Sequence, residues 1–243
     1  MKAVTTDKLT KKFGDFAATN EITFSVDEGE IFGFLGANGA GKTTAIRMLC
    51  GLLKPSSGEA TVAGFDVYRQ TEKIKQNIGY MSQRFSLYDD LTVRENIRFY
   101  GGIYGLRVAD IKRKTDEILQ TLALQTVADS LTISLPLGWK QRLAFSVALV
   151  HNPKVVFLDE PTGGVDPITR RQFWDMIYEA AHRGTTIFVT THYMDEAEYC
   201  NRVSIMVDGR INALDTPAGL KKTYNVDSMD GVFQILARGT STK

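Results

Sequence analysis

The stretch Gly36-Ala37-Asn38-Gly39-Ala40-Gly41-Lys42-Thr43 constrains this chain more than any other. It follows the apolar run Ile31-Phe32-Gly33-Phe34-Leu35 and precedes a helix-compatible run at 44–53. A glycine-rich turn between a buried strand and a helix N-terminus points backbone N–H groups at an anion, with the partial positive charge of the helix behind them. In this pattern the lysine reaches the β- and γ-phosphates of a nucleotide and the following hydroxyl serves Mg²⁺. Gly36, Asn38, Gly39, Ala40, Gly41, Lys42, Thr43 and Thr44 are therefore candidate nucleotide-binding residues, with Thr43 also a candidate metal ligand.

Far downstream, Val155-Val156-Phe157-Leu158 runs into Asp159-Glu160. An acidic residue at the end of a buried parallel strand stands where such sheets bind ligands. Asp159 is a candidate for the Mg²⁺ shell that P-loop nucleoside triphosphatases need. Glu160 comes next in a strand, so its side chain is expected to point away from that of Asp159, where it could polarise an attacking water. The runs 31–35, 155–159, 186–190 and 203–207 are short and almost wholly apolar, as strands are when helices cover both faces of a parallel sheet. The alternating runs 23–26 and 60–64 read as half-buried strands. The expected fold class is thus α/β: a P-loop core with a mixed, largely parallel sheet flanked by helices, an antiparallel N-terminal β portion and a helical insertion.

The insertion is expected at 85–150, where helix signals replace strand signals. Thr92-Val93-Arg94-Glu95 has capping-box spacing, and Ile111, Ile118 and Leu122 share one face of a later helix. Asp166-Pro167 predicts another helix start, an aspartate cap followed by proline. The core is expected over 1–84 and 151–225, with a tail at 226–243. The two cysteines, Cys50 and Cys200, lack metal-type spacing and are expected to be reduced packing thiols. With 29 basic and 28 acidic residues the net charge is +1, which gives no footprint for nucleic acid. No stretch approaches the ~18 apolar residues that cross a bilayer, and residues 1–14 lack the apolar core of a signal peptide.

Taken with these motifs, the sequence resembles the ATPase subunits of ABC transporters over nearly its whole length. The resemblance implies further roles. Phe13 matches the aromatic that stacks on adenine, and Gln83 the glutamine that contacts Mg²⁺ and the attacking water. Asp166, in Gly163-Gly164-Val165-Asp166, matches a loop lying across the interface of two ATPase subunits, and His192 matches the switch histidine at the γ-phosphate. ATP and Mg²⁺ are the implied cofactors. The implied partners are a second ATPase subunit, of the same or another chain, and a membrane permease. The implied location is the cytoplasmic face of the cell membrane. The stretch 86–97 resembles exporter ATPases of the drug- or polysaccharide-exporting kind, and the tail 228–236 resembles the tails of exporter-type ATPases.

One stretch departs from the family pattern. Leu135-Pro136-Leu137-Gly138-Trp139-Lys140-Gln141-Arg142 corresponds to the signature loop, commonly Leu-Ser-Gly-Gly-Gln, which caps in trans the γ-phosphate held by a second subunit. Leu135 and Gly138 match, while Pro136 replaces the serine, Leu137 the first glycine and Trp139 the glutamine. Pro136 removes a hydroxyl and a backbone N–H. One charge-assisted hydrogen bond is worth ~1.5–3 kcal/mol, so the loss predicts a ten- to hundredfold weaker trans site. Gly138 remains as an in-trans candidate, and Ser134 could supply the hydroxyl if the register is shifted by two. Two alternatives to a transport motor stay open: an ATP-binding module that turns over weakly or not at all, and a soluble ABC ATPase without a membrane partner. A guanine reader of the Asn-Lys-x-Asp type is missing, which disfavours a GTPase.

Overall fold

The computed structural model describes residues 1–83 and 87–240. The expected boundary at 84 and 85 and residues 241–243 of the expected tail lie outside the described residues. Strands β1 (Lys2–Phe13) and β2 (Phe16–Asp27) form an antiparallel hairpin turned at Gly14-Asp15. Strands β3 (Ile31–Leu35), β4 (Ser57–Val62) and β5 (Phe65–Asp66) follow, separated after β3 by helix α1 (Lys42–Leu49). Hydrogen bonds join the hairpin to β4 and β5 in a four-stranded sheet of order β2-β1-β4-β5. The predicted helical run at 44–53 ends at Leu49. Gly51 turns left-handed at φ +69°, and the N–H groups of Leu52 and Leu53 fold back onto the Arg47 carbonyl.

Helix α2 (Thr71–Asn77) leads into β6 (Ile78–Met81), the edge of a second sheet. Helices α3 (Val93–Ile103), α4 (Val108–Thr121) and α5 (Leu137–Ala148) then run consecutively before β7 (Val155–Asp159). Helix α6 (Pro167–His182), β8 (Thr186–Thr191), β9 (Arg202–Val207), β10 (Arg210–Asp215), α7 (Pro217–Tyr224) and α8 (Met229–Thr240) complete the chain. The six-stranded order is β10-β9-β3-β8-β7-β6, parallel except for the β9–β10 pair. This is the mixed, largely parallel α/β architecture the sequence predicts.

Every residue of β3, β7 and β8 is buried, so the alternation of side chains sorts each strand between two cores rather than between core and water. Phe32, Phe34, Val155, Phe157 and Phe188 face α1 and the antiparallel sheet. There, Phe24, Phe32, Phe34, Phe157 and Phe188 form a cluster with ring centroids 5.3–5.9 Å apart. Ile31, Leu35, Val156, Leu158, Ile187 and Val189 face the other way, toward α5 and α6. The capping box forms as expected at Thr92 and Glu95. On α4 the inward face centres on Thr115 and Leu119, which the predicted stripe of Ile111, Ile118 and Leu122 flanks.

Helix α5 is seated against β6 through Gly79, where an added Cβ would meet the Ala148 carbonyl oxygen at 2.2 Å. That contact is with rigid backbone at the end of the helix. Gly79→Ala is expected to destabilise the fold by about 1–3 kcal/mol through overpacking. Urea unfolding should show a lower midpoint at unchanged slope, and an unchanged midpoint would refute the close approach.

Candidate active site

The parallel strands deliver the candidate residues to one edge of the sheet. Leu35 lies opposite Thr191, Thr190 opposite Asp159 and Leu158 opposite Met81, so the residues following these strand ends converge. Open α/β sheets bind ligands at this edge. Gly41 caps α1 at φ +104°, and a Cβ there would lie 2.2 Å from the Ala18 carbonyl oxygen, so only glycine fits. Lys42 is 4% exposed, and its Nζ donates to the carbonyls of Gly36 at 2.7 Å and Ala37 at 3.0 Å. Burial pulls the Lys42 pKa down, while Glu160 opposes that shift.

Asp159 continues the side-chain parity of Val155 and Phe157 and so faces α1. Its Oδ1 accepts from Thr43 Oγ1 at 3.1 Å and Thr190 Oγ1 at 2.8 Å. Burial raises its pKa above 3.8, and the two threonine hydroxyls work against that rise. The expectation for Glu160 needs correction. Regular alternation would carry its carboxylate to the α5 side, yet Glu160 is left-handed at φ +51°, and this turns its side chain back to the P-loop. Glu160 Oε1 lies 3.5 Å from Lys42 Nζ, and Oε2 lies 2.9 Å from Gln83 Nε2 and 3.2 Å from His192 Nδ1. A non-glycine residue in this conformation costs on the order of 1–3 kcal/mol and persists where its surroundings hold it. Here the Glu160 N–H donates to both the carbonyl and the hydroxyl of Thr190, at 3.2 and 3.0 Å.

Thr190 is the residue that sequence reasoning missed. It is fully buried, and its hydroxyl serves both acidic residues. The available signal was a pair of threonines, Thr190-Thr191, closing a strand whose centre, Ile187-Phe188-Val189, is apolar. Phe16 was missed as well. Phe13 and Phe16 pair across the hairpin turn, are 53% and 67% exposed, and line a cavity of about 350 Å³ together with Asn38, Gly39, Gly41 and Thr44. Lys42, Thr43, Gln83 and Glu160 line the same cavity, and Ala40 is buried beneath its loop.

Gly138 and Asp166 stand apart from that cavity. Asp166 caps α6, with Oδ1 accepting from the N–H groups of Ile168 and Thr169 at 3.0 Å. Gly138 abuts Thr169, whose Cγ2 would be 2.5 Å from an added Cβ, and Gln141 Nε2 donates to the Gly163 carbonyl at 3.2 Å. The start of α5 is thereby fixed to the start of α6. Pro136 is the N-cap of α5 and makes no side-chain cap hydrogen bond. The Ser134 hydroxyl donates to the Leu131 carbonyl at 2.7 Å, within a 3₁₀ turn over Thr132–Ser134, so it is committed away from the helix end. Trp139, in the first turn of α5, is partly buried against the core.

The donor set fits Mg²⁺. A buried carboxylate and a threonine hydroxyl sit side by side at the P-loop, and both are hard oxygen ligands. Mg²⁺ commonly takes only one or two protein ligands beside substrate phosphates, so a larger acidic cluster is not needed.

Comparison with known proteins agrees with this geometry. The sequence profile described as ABC transporter matches residues 19–163. The chain is 52% identical over 214 residues to the "Probable multidrug ABC transporter ATP-binding protein YbhF" of Escherichia coli (strain K12), covering 88% of this chain but 37% of that protein. It is 37% identical over 224 residues to the "Linearmycin resistance ATP-binding protein LnrL" of Bacillus subtilis (strain 168), covering 92% of this chain and 72% of the relative. A solved structure of an ATP binding subunit of an ABC transporter superposes with a TM-score of 0.87 at 26% identity, covering 96% of this chain and 99% of the other. The structure of cbiO1 from Clostridium perfringens superposes with a TM-score of 0.81 at 29% identity, over 92% and 91% of the two chains.

Burial of ionised Asp159 has a consequence for stability. Its folded pKa is raised, so the native state holds the proton more tightly than the unfolded state. Stability therefore falls as pH rises from 3.8 through the folded value, and the penalty stays in place above it. Asp159→Asn is expected to leave the nucleotide-free chain at least as stable as the parent at neutral pH. The difference should close as the pH falls to the unfolded value. Urea titrations across that range test this, and a less stable variant at neutral pH would contradict it.

Proposed function

This chain belongs to the ABC transporter family of ATP-binding proteins, and on that premise we propose that it is an ATP-hydrolysing motor subunit coupled to a membrane permease, working in export. The observation that carries the reading is the convergence of Lys42, Gln83 and His192 on the single carboxylate of Glu160. Three members of this cluster, Lys42, Gln83 and Glu160, line the cavity that Phe13 and the P-loop also line.

In this reading the P-loop amides and Lys42 receive the phosphates, with Lys42 exchanging its contacts to the Gly36 and Ala37 carbonyls for phosphate oxygens. Thr43 and Asp159 hold Mg²⁺, which supplies charge neutralisation at the phosphates when bound. Glu160 accepts a hydrogen bond from the attacking water, and Gln83 helps orient that water. His192 contacts the γ-phosphate. Catalysis of this kind rests on positioning and electrostatics rather than on covalent chemistry by the protein. Phe13 stacks on adenine, with its exposed face available for the purpose. Gly138 at the start of α5 and Asp166 at the start of α6 serve a second ATPase subunit.

Export, rather than import, is supported by the names of the relatives, one a multidrug and one an antibiotic-resistance protein. The chain spans 37% of the length of the Escherichia coli relative, so its functional assembly is part of the proposal. A permease contact is supported by exposed apolar side chains on and beside α3, where Tyr88 is 47%, Phe99 40% and Ile103 59% exposed. Among the described residues no helix is long and apolar enough to cross a membrane. Binding without turnover is the second reading, favoured by Pro136 at the cap of α5.

ATP turnover by the purified chain across a protein concentration series separates the two. Specific activity that rises with concentration, disappears in Glu160→Gln and disappears on chelation of Mg²⁺ is the expected result. Pro136→Ser is expected to raise the rate roughly tenfold by restoring about 1.5 kcal/mol of hydrogen bonding to the partner's nucleotide. Activity equal to that of Glu160→Gln at every concentration, in the parent and in Pro136→Ser alike, would favour the binding module.

A further inference from the structure

The loop carrying Glu160 and the loop carrying His192 are joined by a buried polar clasp. Thr162, 1% exposed, donates its hydroxyl to Glu196 Oε1 at 2.6 Å, and Glu196 is itself fully buried. Arg170, one turn into α6 from the Asp166 cap, places Nε 3.7 Å from Glu196 Oε1 and Nη1 3.4 Å from Asp195 Oδ2. The guanidinium carbon also lies 4.2 Å from the centroid of the Tyr193 ring. Tyr193 in turn packs on His192, with ring centroids 4.2 Å apart and planes tilted by 36°. His192 Nδ1 then meets Glu160 Oε2 at 3.2 Å. Guanidinium, phenol ring, imidazole and carboxylate thus form one contiguous line from the first turn of α6 to the centre of the site.

We propose that Tyr193 and Arg170 are positioning residues for His192: their cation–aromatic stack fixes the plane of the imidazole, and it ties that plane to the α6 start where a second ATPase subunit would dock. The inference rests on the ATP-hydrolysing reading given above. A cation over an aromatic face is attracted by the ring quadrupole, and a planar guanidinium adds stacking that an ammonium cannot. The orientation and protonated nitrogen of an imidazole are set by what its other contacts demand. For His192, those contacts are Glu160 at Nδ1 and Tyr193 across the ring, leaving Nε2 to address the nucleotide. Arg170 lies four residues beyond Asp166 and donates its N–H to the Asp166 carbonyl at 2.9 Å, so displacement of that cap is passed to the stack.

The test compares Tyr193→Leu, Tyr193→Phe and Arg170→Lys, with His192→Ala as the reference for the reaction itself. Lysine keeps a positive charge beside buried Glu196, and leucine keeps bulk beside His192, so both variants are expected to fold. The expected result is a kcat about tenfold lower in Tyr193→Leu and Arg170→Lys, about 1.4 kcal/mol of transition-state stabilisation. KM for ATP and the melting temperature should be unchanged, and Tyr193→Phe, which keeps the ring face, should restore kcat. The double variant should be no worse than either single one, because the two residues act as a unit. Undiminished kcat in both variants, with His192→Ala inactive, overturns the inference while leaving the hydrolysis reading intact. Full turnover in His192→Ala removes the need for a positioned imidazole and overturns the inference, while hydrolysis itself stands. The hydrolysis reading fails only if the parent turns over no faster than Glu160→Gln. Losses shared among kcat, KM and melting temperature, without rescue by phenylalanine, make the clasp merely structural and overturn the inference. Should the purified chain alone show no turnover, placement of the imidazole is read directly by NMR. The chain has 3 histidines, so the His192 ring C–H line is readily assigned. That line should move in Arg170→Lys, and an unmoved line overturns the inference.

Discussion

A buried cation beside two carboxylates is the interaction on which the rest of this structure turns. Lys42 is 4% exposed and Asp159 1%, and Glu160 stands 3.5 Å from the lysine. Removing the lysine from such a group would leave the carboxylates without their cation, a change that typically costs about 3–5 kcal/mol. The arrangement is tolerable because each member has other polar contacts. Loop carbonyls take the ammonium, two threonine hydroxyls take Asp159, and Gln83 and His192 take Glu160. The site thus stores polarity at the strand ends of an otherwise apolar sheet. In the proposed function, that stored polarity is what receives a polyanion.

The sheet holds this polarity in place through its two cores. Phenylalanines on one face and branched aliphatic residues on the other clamp β3, β7 and β8 from both sides. A one-residue slip of any of these strands would exchange its faces, and a slip of β7 would move Asp159 from the α1 side to the α5 side. The close approach at Gly79 and the contact of Gly138 with Thr169 then fix α5 against both the sheet and α6. Backbone contacts of this kind leave little freedom for small adjustments, so movement of α5 is expected to carry its neighbours with it.

The loops at the strand ends are coupled in the same way. Gln83, Glu160 and His192 come from three different strand ends yet share one carboxylate, while Thr162, Glu196 and Arg170 bind two of those loops to the start of α6. Chemistry, the α6 cap and the α5 cap are therefore parts of one connected assembly. This connection offers a physical route by which the proposed docking of a second subunit could be felt at the nucleotide.

The sequence by itself determined the elements and the candidates for the proposed chemistry. Gly36 to Thr43 after an apolar strand fixes a phosphate loop, since glycine spacing and the flanking strand and helix are local properties. The four apolar runs announced the parallel strands for the same reason, and Asp166 and Thr92 announced helix caps because a cap needs only its own next few residues. Tertiary structure alone decided the rest. The direction of the Glu160 side chain depends on a left-handed backbone held by Thr190, on a neighbouring strand, and strand periodicity pointed the other way. Thr190, Phe16 and the Arg170–Tyr193 stack carry no sequence motif, because their contacts exist only once distant strands and α6 are brought together. Local patterns specify what a segment can be, and packing at the sheet edge specifies what its side chains meet.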